Sequence, residues 1–75
     1  MINAQDLADL AFNSAMRLEP GRHFHVRELF QQKFWFALPR WVRLLVGRLF
    51  HNIWHTTNRL IEYDPNDGTA IYTSQ

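Results

Sequence analysis

Histidines provide the first candidate chemistry in this 75-residue sequence. His51 and His55 are four residues apart, a spacing at which two imidazoles on one helical face can bind the same metal ion. His23 and His25 could add ligands from a neighbouring strand. A zinc site needs three or four ligands, however, and the chain has no cysteine and no acidic residue within helical reach of His51 or His55. We therefore expect surface histidines, with no metal and no cofactor.

Residue types that catalyse reactions are present but scattered. Ser14, Ser74 and the threonines are in no recognisable nucleophile motif, the acids lie on separate flanks of the chain, and the three glycines are isolated. We find no candidate catalytic residues, and we expect neither an enzyme nor a small-molecule substrate.

Basic charge is concentrated in the middle of the chain. Every basic residue except Arg17 lies between Arg22 and Arg59, where Glu28 is the single acid, and both flanking segments are acidic. This asymmetry is typical of a face that binds a polyanion, and a solvated basic helix surface gives the same pattern. Both interpretations stay open.

The clearest predicted element is a helix from Pro39 to about Thr57, which divides into two faces at 100° per residue. We expect the buried arc to contain Val42, Leu45, Val46, Leu49 and Ile53, flanked by Phe50 and Trp54. The opposite face carries Arg40, Leu44, Gly47, Arg48, His51 and His55, with Trp41 and Arg43 on its flanks. All of these except His55 are candidate binding residues. Gly47 destabilises a helix interior by roughly 1 kcal/mol relative to alanine, which raises the question of what approaches the backbone there.

Other elements follow from capping, turn and alternation signals. Along the chain we predict a helix over 3–16, a turn at Pro20-Gly21, a strand over 22–26, a short helix over 27–32, an apolar linker over 34–38, and a hairpin of 59–64 with 69–73. This order predicts one mainly helical domain over residues 1–75, resembling a winged helix-turn-helix (α-β-α-α-β-β) whose small sheet joins the early strand to the hairpin.

Composition limits the cellular setting. The chain has no cysteine, which suits a reducing cytoplasm, and its first residues have neither the basic nor the apolar region of a signal peptide. No apolar run approaches the ~20 residues that a membrane span needs. We expect a soluble, cytoplasmic protein without a membrane partner.

Two stretches resemble a known small bacterial family. The first is Leu18-x-x-Gly21-x-x-Phe24-x-Val26-x-x-Leu29-Phe30, and the second is Trp35-x-x-Leu38-Pro39-x-x-Val42-Arg43-x-x-x-Gly47-Arg48-x-Phe50. Together they are similar to the group catalogued as domain of unknown function 1413, a resemblance that implies a winged-helix-like fold and a bacterial or phage origin. The chain departs from that group in its added first helix and its acidic, compact hairpin, where the resemblance implies a longer, more basic tail.

Two functions are compatible with these features. In a DNA-binding transcriptional regulator, the third helix would enter the major groove of double-stranded DNA, although phosphates would repel Glu62, Asp64 and Asp67 of the hairpin. In a protein-interaction module, such as an adaptor or a phage-encoded inhibitor, Trp41, Leu44 and the arginines would contact a partner protein or a second copy in a homodimer. The sequence leaves both hypotheses open.

Overall fold

The computed structural model of this chain describes residues 3–57 and 60–74. Its helices are α1 (Ala4–Ala15), α2 (Gln32–Ala37) and α3 (Arg40–Thr56), its strands are β1 (His23–Phe24), β2 (Ile61–Tyr63) and β3 (Ala70–Thr73), and a 3-10 turn spans Val26–Leu29. The predicted class and element order are therefore confirmed: the chain is mainly helical with a small antiparallel sheet. Arg59, which we assigned to the basic block and to the hairpin, lies outside the described residues.

The first helix begins as its sequence predicts. Asn3 is the N-cap, and its Oδ1 accepts a hydrogen bond from the Asp6 backbone N–H at 2.9 Å. This bond satisfies a backbone donor that has no partner within the helix. After α1, Gly21 adopts a φ of +87°, a conformation that costs glycine little and lets the chain turn toward β1.

Three strands form the sheet in the order β1-β3-β2, with antiparallel pairing throughout. Phe24 pairs with Tyr72, and Tyr63 pairs with Ala70, so the early strand joins the hairpin as predicted. Gly68 has a φ of +74° and donates its N–H to the Asp64 carbonyl at 2.8 Å, which closes the hairpin turn.

The segment between β1 and α3 differs from its prediction. The expected helix over 27–32 is only the 3-10 turn, and the expected apolar linker contains α2 instead. Trp35 is the buried residue of α2, whereas Phe34 and Phe36 remain exposed. The aromatic run over 34–36 has no clear polar face and therefore no helical periodicity, so the sequence pattern did not predict this helix. Leu38 is extended because it precedes a proline, and α2 ends there.

The hydrophobic core lies between α1, α3 and the sheet, and it corrects the predicted orientation of α3. Val46, Phe50 and Trp54 are fully buried, whereas Leu45, Leu49 and Ile53 are half-buried. The buried face is thus rotated by about 80° from the predicted arc, at 100° per residue.

Ring packing accounts for this rotation. Phe24 of β1 and Tyr72 of β3 meet the ring of Phe50 at centroid distances of 6.3 and 4.9 Å and the ring of Trp54 at 5.6 and 5.7 Å. Aromatic side chains bury the largest apolar areas, so the sheet covers the aromatic side of α3 in preference to its aliphatic side. None of the helices in the described ranges combines the length and apolarity needed to cross a membrane.

Candidate functional site

The outer face of α3, defined by Arg40, Trp41, Leu44 and Arg48, is exposed as predicted. Trp41 is 67% exposed and Leu44 61%. Together with Leu45 and Arg48, these side chains line a groove of ≈260 Å³, which we call the outer groove. Three of its four lining residues are apolar, and the fourth is Arg48.

Arg43 was predicted on the flank of this face, but it is half-buried. Its guanidinium carbon lies 5.6 Å from the ring centroid of Phe36, which is within cation–π distance. Its Nε is buried and has no hydrogen-bond partner in the described residues. Arg43 therefore packs against α2 and is less available to a partner than Arg40 and Arg48.

Gly47 and His51 were predicted to lie opposite the core, but both are half-buried. They line a second concavity of ≈340 Å³ between α3 and the hairpin, which we call the hairpin cleft. Its remaining lining residues are Val26, Arg48, Thr69, Ala70 and Tyr72. A Cβ atom added at Gly47 would meet no atom within 4 Å, so the glycine is not required by contacts with the described residues.

The histidines bond to neighbouring parts of the fold. His51 Nε2 lies 3.1 Å from the Tyr63 hydroxyl, His23 Nδ1 lies 3.0 Å from the Thr73 hydroxyl, and His25 Nδ1 donates to the Ala70 carbonyl at 3.0 Å. His51 and His55 stack with ring centroids 6.3 Å apart. Across residues 3–57 and 60–74, no group of three or more histidines and acids is arranged to hold a metal ion.

Two aspartates of the hairpin turn bond to the turn itself. Asp64 Oδ1 accepts the Asn66 N–H at 2.8 Å, and Asp67 Oδ1 accepts both the N–H and the hydroxyl of Thr69, at 3.0 and 2.7 Å. The bonds from Thr69 hold the pKa of Asp67 below its usual value, with smaller contributions from the charges of His25 and Arg27. The carboxylate of Asp67 is therefore ionised at neutral pH, and the hairpin keeps the negative charge that its sequence indicates.

Sequence reasoning placed Arg48 on the exposed face but missed the hairpin cleft beside it. Arg48 lines both the cleft and the outer groove, so it stands on the ridge between them. Gly47 was the one signal for this arrangement, because a glycine inside a helix leaves space beside the backbone. The other side of that space is lined by Thr69 and Ala70 of the hairpin, and helical periodicity within α3 carries no information about these residues.

Searches of curated proteins and of solved structures found no match to this chain. A family profile does match, over residues 10–60, which include the stretch from Leu18 to Phe50 that carried the resemblance. That stretch supplies α2, most of α3 and the outer face of α3. The chain thus belongs to the family described as Domain of unknown function (DUF1413).

Proposed function

We propose that this chain is a protein-interaction module that binds a partner protein through the outer face of α3. The exposure of Trp41 and Leu44, three residues apart on one side of the helix, carries this proposal. A domain of this size needs most of its large apolar side chains for its own core. Among the described residues, eight large hydrophobic side chains are nevertheless exposed. Trp41 and Leu44 are the most exposed of them and line a groove with an arginine, which is the composition of an interface anchor, since tryptophan and arginine are enriched at binding hot spots.

The charges around this face also favour a protein partner. Within the described part of the chain, the guanidinium groups of Arg40 and Arg48 make no hydrogen bond or ion pair. The hairpin nearby is acidic, and a protein surface can complement both signs of charge. The biological setting we propose is a bacterial or phage adaptor or inhibitor in the cytoplasm, whose partner is another protein or a second copy of the chain.

Matched variants test this proposal. The Trp41→Ala/Leu44→Ala double variant removes the anchors, and Leu10→Ala removes a comparably exposed apolar side chain from α1. If the partner is another protein, we expect the wild-type chain and Leu10→Ala to recover it in a pull-down and the double variant to lose it. If the partner is a second copy, we expect the first two proteins to sediment as dimers and the double variant to sediment as a monomer. Identical recovery by all three proteins would contradict the proposal.

A second candidate function is DNA binding by a winged-helix regulator. The sheet order β1-β3-β2 and the position of α3 before the hairpin favour this candidate, because a winged helix has the same arrangement. α3 would enter the major groove, and Arg40 and Arg48 would contact phosphates. The contact between Arg43 and Phe36 and the ionised Asp67 weigh against it, since they remove a cation and add repulsion.

A gel-shift titration on random duplex DNA over a range of salt concentrations separates the two candidates. If DNA is the partner, Arg40→Ala and Arg48→Ala each flatten the salt slope by about one unit, and Asp64→Asn/Asp67→Asn tightens binding. Absence of duplex binding at low salt would reject the DNA candidate and leave the protein-interaction proposal in place.

A further inference from the structure

We infer that the partner segment that binds α3 carries an acidic residue flanked on both sides by apolar residues. The carboxylate pairs with Arg48, one apolar side chain enters the outer groove, and another enters the hairpin cleft. This inference rests on the proposed function, and it states the chemistry of the partner that the outer face of α3 recognises.

Arg48 is the first observation behind this inference. It lines both concavities, so a segment that crosses α3 at this point reaches both of them at once. Arg48 is exposed and has no bonded acid in residues 3–57 and 60–74. Asp67, an ionised acid of the hairpin, is held by Thr69 and faces the charges of His25 and Arg27. A carboxylate supplied by the partner therefore complements the charge of Arg48.

The linings of the two concavities are the second observation. Trp41, Leu44 and Leu45 wall the outer groove, and Val26, Ala70 and Tyr72 contribute apolar surface to the hairpin cleft. Apolar side chains that cover such surfaces remove them from water, which lowers the free energy of the complex. A segment with apolar residues on both sides of its acid matches this alternation of apolar groove, cation and apolar cleft.

Gly47 is the third observation. A glycine in a helix interior is less favourable than alanine, yet a Cβ at this position would meet no atom within 4 Å. The position lines the hairpin cleft, so any side chain placed here would project into the volume that we assign to the partner. Gly47 thereby keeps the cleft open at a cost to the stability of α3.

The probe is a phage-displayed library of random 12-residue peptides, selected on the immobilised full chain and counter-selected on the Trp41→Ala/Leu44→Ala variant. We expect the enriched peptides to share an acidic residue between apolar residues. The affinity of one enriched peptide, and of its copy with the acid changed to the amide, is then measured by fluorescence polarisation against each variant of the chain.

A double-mutant cycle tests the ion pair. Changing the acid to the amide in the peptide is expected to weaken binding to the wild-type chain by about tenfold or more, and to change binding to Arg48→Ala little, because the pair is already lost there. Equal losses against both proteins would overturn the assignment of the carboxylate to Arg48.

Filling the cleft tests the role of Gly47. Gly47→Leu is expected to weaken the peptide about tenfold while the Tm stays equal or rises, since leucine favours a helix more than glycine does. Asn13→Leu, at an exposed position of α1 that lines neither concavity, is the control and leaves the affinity unchanged. An unchanged affinity for Gly47→Leu would overturn the inference.

Trp41→Ala distinguishes the failure of this inference from the failure of the proposed function. Enriched peptides that need Trp41 but contain no acid, or that tolerate Gly47→Leu, refute the inference and leave the interaction surface standing. A selection that yields no peptide dependent on Trp41 refutes both.

Discussion

α3 carries two tryptophans with opposite surroundings. Trp54 is fully buried, stacks on Phe50 at 5.5 Å between centroids and donates its indole N–H to the Leu60 carbonyl at 3.2 Å, whereas Trp41 is 67% exposed. The two residues share one helix and one side-chain chemistry, so the difference comes from what the sheet covers. An aromatic residue of α3 is structural where β1 and β3 pack against it, and it is free for a partner where they do not reach.

The strongest test of this comparison is the pair Trp54→Ala and Trp41→Ala. Trp54→Ala should reduce the free energy of unfolding by about 3–5 kcal/mol because it leaves a large cavity in the core. Trp41→Ala should change it by about 0.5 kcal/mol or less, as a surface substitution. Urea denaturation of the three proteins measures both values, and a similar loss in the two variants would break the comparison.

Alkaline pH probes the buried side through Tyr72. Burial raises the pKa of Tyr72 to about 12, and the charge of Tyr63 adds to the rise. The unfolded chain loses this proton near its ordinary value of 10.0, so the stability contributed by Tyr72 is complete below pH 10 and is lost as pH rises through about 12.

The loss stays below about 2–3 kcal/mol, the unscreened limit at 1.36 kcal/mol per pKa unit, because solvent partly screens the phenolate charge. Denaturation curves of the wild-type chain and of Tyr72→Phe between pH 8 and pH 12 give the free energy of unfolding of each protein. The difference between the two pH profiles is the contribution of Tyr72, because other alkaline effects are common to both proteins. Parallel pH profiles would show that Tyr72 is not protected from water.

Leu49→Ala sharpens the comparison by testing the orientation of α3. The sequence pattern placed Leu49 in the buried arc, where its removal would cost about 2–5 kcal/mol. Leu49 is instead half-buried, so we now expect a loss of about 1 kcal/mol, well below that of Phe50→Ala. Thermal melts of the two variants should differ clearly, and equal melting temperatures would favour the original arc.

The smallest expected effect concerns His51 and His55, which lie between the buried and the exposed side of α3. EDTA should leave the Tm unchanged, because the ring of His51 is bonded to Tyr63 and no larger ligand cluster occurs in the described residues. Calorimetry with and without chelator measures this. A Tm that falls in EDTA and recovers with added zinc would require a metal site.

Local signals predicted much of the fold. The Asn3 cap, the Pro20-Gly21 turn and the hairpin turn at Pro65–Gly68 depend on neighbouring residues, and the structure places all three where the sequence indicates. The two main errors, α2 and the rotation of α3, have a common cause. Both depend on aromatic residues whose burial is decided by elements that are distant in sequence. The hydrophobic periodicity of one segment does not predict which of its aromatic residues those elements cover.

The candidate site divides in the same way. Arg40, Trp41, Leu44 and Arg48 were placed correctly, since their exposure follows from their separation around one helix. Arg43 and Gly47 were misplaced because their surroundings come from Phe36 and from the hairpin. The face of a helix is readable from sequence, whereas a cleft shared by two elements is not.

The central position of β3 has a consequence for the order of folding. Its pairing with β2 closes a short turn, but its pairing with β1 joins His23 to Thr73, 50 positions apart, so loop closure costs more entropy. During synthesis on a ribosome, α1, β1 and α3 emerge before β3. We expect the aromatic face formed by Phe24, Phe50 and Trp54 to stay uncovered until β3 arrives, which makes this interval the one in which the nascent chain is most open to aggregation and chaperone capture.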